Sequence, residues 1–244
     1  MVTELSTRIA RNQQYEGTDN TNPWQSQHFA MHRSSVLTTV QCVWDRDETF
    51  AWMTTEEQLN IGSDSGDDVG GGTGAWAVYV DGVALDGTLV QEVVVLGATT
   101  ANAMRHINRM VVVAAGAGGT NAGNIRATDA AGNTIGFIVA GEGISQTGAL
   151  SVPTGYQWLL RSIHGSGVLQ GGATYMQVSS RIRTALTDPW YEAVKFELAS
   201  IATAFMFDPA PVMEPGMDIE FRCVSDVAGP RIGMFVSYIE IDVS

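Results

Sequence analysis

The stretch Ala75-Trp76-Ala77-Val78-Tyr79-Val80-Asp81-Gly82 consists of β-branched, aromatic and small residues and ends in an Asp-Gly pair. Valine, tyrosine and tryptophan are enriched in β-strands, and Asp-Gly between apolar runs is a strong signal for a hairpin turn. The stretch therefore predicts a strand over 75–80 that ends in a tight turn at Asp81-Gly82.

Similar short runs occur along the rest of the chain, separated by Gly-Asn, Asp-Gly, Gly-Gly and Pro-Gly pairs. They cover 36–44, 88–96, 105–115, 124–128, 134–140, 156–163, 174–182, 194–201, 218–224 and 232–243. Helical segments of about 10–15 residues, which a parallel sheet needs between its strands, do not alternate with them. We therefore predict an all-β fold, an antiparallel β-sandwich of jelly-roll-like type.

The charge balance is strongly acidic. The 244 residues include 13 Lys and Arg and 26 Asp and Glu, for a formal net charge of −13. Only 16% of the residues are charged and 45% are hydrophobic, which is enough apolar material for a large core. A net negative charge repels phosphate backbones, and the sequence shows no compensating basic patch, since Lys195 is the only lysine. We therefore expect no direct contact with nucleic acid.

The sequence contains no recognisable targeting or membrane-spanning segment. Its first residues carry charges where a signal peptide needs an apolar run. The longest apolar stretch, 110–117, is too short to cross a bilayer. We therefore expect neither a secreted precursor nor a membrane protein.

The two cysteines, Cys42 and Cys223, both lie in apolar, strand-like surroundings. A single pair of cysteines does not by itself indicate a disulfide. We expect two buried free thiols, and a bridge between neighbouring strands is the alternative.

Composition divides the chain into an N-terminal arm and a β body. Residues 1–35 are rich in Asn, Gln, Thr and Ser and lack sustained apolar periodicity, so we expect an extended arm. The body covers 36–244. Within it, the Gly- and Asp-rich stretch 62–74 is too polar and too flexible for a sheet, and we interpret it as a mobile surface loop or a linker between subdomains.

Two motifs in the 62–74 stretch invite a chemical interpretation. Ser63-Asp64-Ser65-Gly66 resembles the Asp-Ser-Gly surroundings of some serine-protease nucleophiles, but no neighbouring histidine suggests the base of a triad. Asp64, Asp67 and Asp68 could chelate a hard cation, but their spacing is not that of an EF-hand loop. We therefore interpret these aspartates as a solvated acidic loop.

The glycine-rich stretches 70–74 and 116–123 resemble phosphate-binding loops only in composition. Neither contains the lysine of a Walker loop or the Gly-x-Gly-x-x-Gly spacing of a dinucleotide-binding turn. His28 and His32 have the i, i+4 spacing of two zinc ligands on a helix, but the glutamate of a zincin motif and a third ligand are missing. We expect neither a cofactor nor a metal, and interpret the histidines as a polar surface pair.

Acidic residues in the C-terminal third could supply the paired carboxylates of a glycoside hydrolase. They are Glu197, Asp208, Glu214, Asp218 and Glu220. The separation of two carboxylates decides whether such a pair works, and a sequence does not provide that distance. Because no motif meets the demands of a nucleophile, a metal or a phosphate site, we expect no catalytic residue and no enzyme activity. A carbohydrate-active enzyme remains the contrasting hypothesis.

One order of motifs is distinctive. Arg105-His106-Ile107-Asn108-Arg109 precedes Gly119-Thr120-Asn121-Ala122-Gly123, and Val139-Ala140-Gly141-Glu142 and Val152-Pro153-Thr154-Gly155-Tyr156 follow. This order resembles virion structural proteins of tailed bacteriophages, over roughly residues 85–243. Because the shared motifs describe a strand and its turns, they identify a scaffold and no active site.

The resemblance implies a structural component of a phage particle. We expect a capsid cement or decoration protein that binds the major capsid protein on the outer shell and stabilises it, as a homotrimer or another homo-oligomer. The arm at 1–35 would lie across major-capsid subunits. In this interpretation the protein is made in the host cytoplasm and is located on the outer capsid surface.

A tail-associated fibre, spike or adaptor component, which could recognise host glycans, is the alternative. Copy number separates the two hypotheses, because a decoration protein is present in hundreds of copies per particle and a tail component in few.

Overall fold

The computed structural model describes residues 24–46, 50–198 and 203–243; for 24–28, 198, 203 and 205 it describes the backbone only. These residues form strands and no helix. In chain order the strands are β1 (Trp24–Arg33), β2 (Gln41–Cys42), β3 (Asn60–Ser63), β4 (Ala75–Val83), β5 (Leu89–Val95), β6 (His106–Ala115), β7 (Ile125–Thr128), β8 (Thr134–Ile138), β9 (Ala149–Ser151), β10 (Tyr156–Val168), β11 (Met176–Arg183), β12 (Tyr191–Leu198), β13 (Thr203–Met206), β14 (Val212–Met213), β15 (Asp218–Ser225) and β16 (Arg231–Asp242). Every pairing between them is antiparallel, which confirms the predicted all-β class. In the described part of the chain, no helix is long and apolar enough to cross a membrane.

The chain divides into two compact units. The described part of unit 1 lies in Ala51–Ser145, and that of unit 2 lies in Asn22–Phe50 and Gln146–Ser244. The sequence predicts a single β body over residues 36–244. In the structure this range is divided between the two units. The stretch 62–74 lies inside unit 1 and is therefore not a linker between units.

Unit 1 is built from two three-stranded sheets, β3-β7-β8 and β5-β4-β6. Buried aliphatic side chains from both sheets form its core. They include Leu59, Ile61, Val78, Val80, Ile107, Met110, Ile125, Ile135 and Ile138. Burial does not alternate in every strand, because all five residues of β8 are buried, and so is Tyr79 between Val78 and Val80.

Strand β4 continues through Asp81-Gly82, where the sequence predicts a turn. Gly82 pairs with Val90 on one side and Ile107 on the other, and the strand ends at Val83. A Cβ atom on Gly82 would lie 2.3 Å from the carbonyl oxygen of His106, so glycine permits the close approach of β4 and β6 at this position. The turn follows at 84–88, closed by a 2.9 Å bond from the Ala84 amide to the Thr88 carbonyl.

Unit 2 is a two-sheet sandwich. Sheet A has the order β1-β16-β10-β13, with β14 also paired to β10. Sheet B has the order β12-β11-β15-β2, with β9 also paired to β15. Inward side chains of both sheets form one apolar cluster. It includes Met31, Trp158, Leu160, Ile163, Met234, Val236 and Tyr238 from sheet A and Leu150, Met176, Val178, Phe196, Ile219, Phe221 and Cys223 from sheet B.

The C-terminal part of the predicted arm belongs to this sandwich. Strand β1 pairs with β16 from Trp24↔Ile241 to Arg33↔Ile232, and Met31 and Arg33 are fully buried. The strand is missed from sequence because its residues, WQSQHFAMHR, are mostly polar and do not alternate regularly between apolar and polar, which resembles loop composition. Residues 1–23 of the predicted arm lie outside the described residues.

The predicted strand at 36–44 is mostly irregular. Only Gln41–Cys42 pairs with β15, and Trp44 forms an isolated bridge with Thr147. The other runs correspond to β4–β8, β10–β12, β15 and β16, whereas the short strands β3, β9, β13 and β14 were not predicted. Two to four residues are too few to show the alternation on which a strand prediction depends.

The cysteines are both free and buried, as the sequence predicts. In the register of β2 and β15, Cys42 lies opposite Arg222, and Cys223 lies opposite Gln41. Neighbouring positions on a strand face opposite sides of the sheet, so the two thiols point to opposite faces of sheet B and are not placed to form a disulfide. Burial raises the pKa of Cys223 to about 12, and burial, with the nearby Glu220 carboxylate, raises that of Cys42 well above its ordinary value.

The native protein should therefore be inert to thiol reagents, because the reactive thiolate is both inaccessible and disfavoured. We expect no thiol to react with a disulfide reagent at pH 8 in the native state and both to react in guanidinium chloride. Equal titres for denatured samples with and without prior reduction would confirm free thiols. Rapid reaction of either cysteine in the native protein would contradict the burial of that thiol.

Candidate functional site

Asp68 is the centre of the 62–74 stretch. Only 2% of the residue is exposed, and its two carboxylate oxygens accept four hydrogen bonds. The donors are the Ser63 hydroxyl at 2.5 Å and the amides of Ala75, Ala122 and Gly123 at 2.7, 2.7 and 2.8 Å. These bonds fasten the loop to the turn at 116–123. A carboxylate occupied in this way holds two chain segments together and leaves little capacity for a cation.

The stretch 62–74 is therefore not the mobile, fully solvated loop that its composition predicts. A Cβ atom on Gly74 would lie 2.1 Å from the Asp68 carboxylate, so the loop needs glycine where the backbone passes the carboxylate. Burial acts to raise the pKa of Asp68, but the hydrogen bonds from Ser63 and the three amides outweigh it, and the pKa is lowered.

Replacing Asp68 with Asn should destabilise unit 1. The Asn amide group would direct N–H donors at amides that already donate, and burying unsatisfied donors costs on the order of 2–3 kcal/mol. Because the folded-state pKa of Asp68 is lowered, its contribution is present above the ordinary carboxyl pKa and is lost as the pH falls through the folded-state value.

Urea unfolding of the wild type and of Asp68→Asn at pH 7 and pH 3 would measure both effects. The difference between the two proteins should shrink at the lower pH. Asp67→Asn, at a solvent-exposed neighbour, is the matched control. An Asp68→Asn protein as stable as the control at pH 7 would contradict the role of Asp68 as an anchor.

Two of the turn motifs that the sequence singles out, 119–123 and 139–142, are anchored to each other in unit 1. The Asn121 side chain donates to the carbonyls of Gly123 and Val139 at 2.7 and 2.8 Å and accepts from the Gly143 amide at 2.9 Å. It therefore joins the turns at 116–123 and 139–143. In this protein these motifs hold turns in place.

The proposed serine and metal motifs do not assemble into sites. The described hydrogen bonds of Ser65 connect it to Ser63 and Asp67, and none of them involves a histidine. Asp64 accepts from the backbone and side chain of Asn124 at 2.7 and 2.9 Å and from Arg126 at 3.3 Å, and these partners, the Asn124 side chain foremost, lower its pKa. Among the described residues, no group of three His, Cys, Asp or Glu side chains could hold a metal ion.

His28 and His32 lie on strand β1, not on a helix. Residues i and i+4 of a strand are about 13 Å apart, too far to share one metal ion. His32 Nδ1 lies 2.8 Å from a carboxylate oxygen of Asp45. The helical interpretation of this spacing is therefore wrong, because it assumed the wrong secondary structure.

The two candidate carboxylates on β15 belong to a buried ionic layer on the outer face of sheet B. The Asp218 carboxylate accepts hydrogen bonds from the Arg183 guanidinium at 2.8 Å and from the Ser151 hydroxyl. The Glu220 carboxylate accepts one from the Arg181 guanidinium at 2.9 Å. Charge-assisted hydrogen bonds of this kind fix the positions of the two carboxylates. Of the other candidates, Glu214 accepts from Gln157 at 2.6 Å, and Glu197 and Asp208 are exposed.

The outer face of sheet A has a different character. Directly opposed residues of antiparallel strands share a face, so the register defines its rows. The rows are Ala30-Phe235-His164-Ala204, Ser237-Ser162-Met206, Ile239-Leu159-Val212 and Ile241-Gln157. None of these residues is Asp, Glu, Lys or Arg, and we call this set the neutral face.

The neutral face exposes large apolar side chains to solvent. Met206 is 81% exposed, Val212 44% and Phe235 36%. The paired rows carry no Asp, Glu, Lys or Arg, although Arg161, at the bulge of β10 between the core residues Leu160 and Ile163, is exposed on the same side of the sheet. The neutral face is the strongest candidate for an interaction surface in the described structure.

The polar groups at the centre of the neutral face bond to each other. The hydroxyls of Ser162 and Ser237 are 2.6 Å apart, and His164 Nε2 lies 2.9 Å from the Ser162 hydroxyl. The His164 ring also contacts Phe235, with ring centroids 6.0 Å apart. The described contacts of His164 include no carboxylate that would complete a catalytic triad. These groups therefore provide an internally hydrogen-bonded centre that a partner could cover.

The neutral face was not predicted from sequence, although the composition of strands β10 and β16 contains a signal for it. Strand β10 contains one charged residue, Arg161, and β16 has none between Arg231 and Glu240. A strand with one solvated face normally alternates apolar and charged residues. The scarcity of charged residues on two neighbouring strands is the sequence signal that could have pointed to this face.

No family model matches the chain, and no curated protein matches it. Among solved structures, infectious bursal disease virus of the Gt strain matches at 9% identity with a TM-score of 0.17, covering 98% of this chain and 82% of the matched chain. The Gx strain of the same virus matches at 11% identity with a TM-score of 0.21, covering 91% and 76%. T=1 particles derived from this virus match at 10% identity with a TM-score of 0.17, covering 98% and 79%.

Identities and TM-scores at this level carry no argument about the fold or function of this chain. None of these three matches is a structure of a tailed bacteriophage. The assignment to a phage particle therefore depends on the sequence motifs.

Proposed function

We propose that this chain is a non-enzymatic virion structural protein, and specifically a capsid cement or decoration protein. In this role it binds the outer shell of a tailed bacteriophage as an oligomer and stabilises the shell. The observation that carries the proposal is the neutral face, a rigid apolar surface on a strongly acidic protein.

The neutral face suits a contact protein because burying its exposed apolar side chains is favourable and few charged groups accompany them. Interface centres are depleted in charged residues in the same way. A β-sandwich presents such a surface without having to order it, so binding does not incur the entropy cost of folding a loop.

The phage assignment is supported by the motifs at 105–109, 119–123 and 139–142. In the structure they form strand β6 and two turns joined by Asn121, which is the scaffold role that the resemblance implies. The contact with the major capsid protein is assigned to residues 1–23, the part of the predicted arm that precedes β1.

A tail-associated fibre, spike or adaptor component that binds host glycans is the second candidate. It is favoured by two exposed aromatic side chains of unit 2, Tyr191 at 57% and Tyr175 at 40% exposure. Aromatic rings of this kind can pack against the apolar faces of sugars, but no second carbohydrate-binding feature accompanies them.

Deleting residues 2–23 should weaken attachment to the particle and leave the sandwich folded. A deletion to residue 35 is unsuitable, because it removes β1 and the buried Met31 and Arg33. Particles reconstituted with wild-type or truncated protein would be heated mildly, purified again, and assayed for bound copies by quantitative gel densitometry. Ser65→Ala is the matched control and should bind like the wild type.

Hundreds of copies of the wild type per particle, with few copies of the truncated protein, would support the cement proposal. A small fixed number of copies at the tail would favour the second candidate. Normal occupancy by the truncated protein would contradict the assignment of the shell contact to residues 1–23.

A further inference from the structure

We propose that Met206 is a selective oxidation site, at which a peroxide converts the thioether of the side chain to a sulfoxide. This inference deepens the proposed function, because Met206 lies on the neutral face. The effect of the sulfoxide on particle attachment rests on the proposed function, whereas the oxidation itself does not depend on it.

Exposure separates Met206 from the other described methionines. Met206 is 81% exposed. Seven others are at most 7% exposed and pack in the cores of the two units: Met31, Met53, Met104, Met110, Met176, Met213 and Met234. Met217 is partly buried against the core of unit 2, and its sulfur accepts a hydrogen bond from the Glu214 amide at 3.0 Å. Met206 is therefore by far the most accessible of the methionines that the structure describes.

The exposure of Met206 follows from its position in sheet A. In the register of β13 and β10, Met206 lies opposite Ser162, and the next residue of β10, Ile163, points into the core. Side chains alternate along a strand, so Met206 points away from the core. The following residue, Phe207, donates its backbone amide to the Arg161 carbonyl at 3.0 Å. The chain is therefore bound to β10 on both sides of Met206, and the side chain is exposed because it occupies an outward position in a paired strand.

The reaction needs only the exposed thioether and a peroxide. A lone pair of the Met206 sulfur attacks one oxygen of the peroxide, the O–O bond breaks, and an S–O bond forms. The proton on the transferred oxygen passes to the leaving oxygen, which departs as water from hydrogen peroxide or as an alcohol from an alkyl hydroperoxide. The sulfur loses two electrons and the peroxide gains them. A methionine sulfoxide reductase reverses the step.

Oxidation changes the character of the neutral face where that face is most exposed. Met206 has a larger exposed fraction than Val212 at 44% or Phe235 at 36%. A sulfoxide is polar and chiral, and it disrupts contacts that an apolar methionine makes. Oxidation of the free chain should therefore weaken the binding of the neutral face to a partner, and a partner already in place should shield the sulfur.

Peptide mapping of the full chain after treatment with tert-butyl hydroperoxide at pH 7 would test the selectivity. Trypsin cleaves after Lys195 and Arg222, so one peptide, 196–222, contains Met206, Met213 and Met217. Fragment-ion spectra assign each sulfoxide within this peptide. Met206 should be oxidised faster than the other two by about 10-fold or more, because the peroxide does not enter a close-packed core.

Three controls show whether burial causes this difference. In guanidinium chloride the three methionines should be oxidised at similar rates. Met206→Leu should remove the fast reaction and leave the β circular dichroism spectrum unchanged. Met213→Leu, a change of similar volume at a buried position, should retain the fast reaction. Oxidation of Met213 or Met217 as fast as that of Met206 in the native protein would overturn the inference.

Particle binding separates this inference from the proposed function. The oxidised wild type and Met206→Gln, whose side chain is polar and unbranched like the sulfoxide, should both leave fewer copies bound per particle. Val95→Gln, at a residue of unit 1 with 57% exposure, is the matched control and should bind normally. Selective oxidation with normal binding of both modified proteins would confirm the oxidation site and contradict the contact role of the neutral face. Failure of the untreated wild type to bind particles would count against the cement role alone.

Discussion

The register of β16 is the constraint on which unit 2 depends. This strand lies between β1 and β10 and pairs with both over its whole length. Its alternation directs Ile232, Met234, Val236 and Tyr238 into the core and leaves the intervening residues on the neutral face. Because side chains alternate with a period of two, a shift by one residue would exchange the two sets. In the shifted register Gly233 and Ser237 would face the core and leave the inter-sheet space poorly filled, so one register is strongly preferred.

Buried carboxylates organise the irregular parts of both units. Asp68 joins two loops of unit 1 through four hydrogen bonds, and Asp218 fixes Arg183 beneath the outer face of sheet B. A buried charge is tolerated only when its partners replace the hydration it has lost. Part of the acidic composition is therefore structural, and the aspartates of a glycine-rich loop hold that loop in place.

The two outer faces of the sandwich of unit 2 suit different roles. Sheet B carries arginines paired with Asp218 and Glu220, and the ring of Trp190 lies 4.3 Å from the guanidinium of Arg181 and 4.6 Å from that of Arg183. This face is ionic, and its charges are matched internally. The paired rows of sheet A carry apolar and hydroxyl groups, the His164 imidazole and the Gln157 amide, and Arg161 at the bulge of β10 is exposed beside them. The difference in exposure and charge between the faces supports the proposal that sheet A, and not sheet B, contacts a partner.

The sequence by itself determined the all-β class and most of the longer strands, because alternation and turn residues are local properties of the chain. It favoured free thiols without excluding a bridge between the two cysteines, and its turn motifs carry the resemblance to virion proteins. Only the tertiary structure decided that β1 belongs to the sandwich, that Asp81-Gly82 lies within a strand and that Asp68 is buried. Each of these depends on partners that are distant in sequence: β16 for β1, the His106 backbone for Gly82, and the 122–123 amides for Asp68. The neutral face likewise exists only after the register has brought four separate strands side by side.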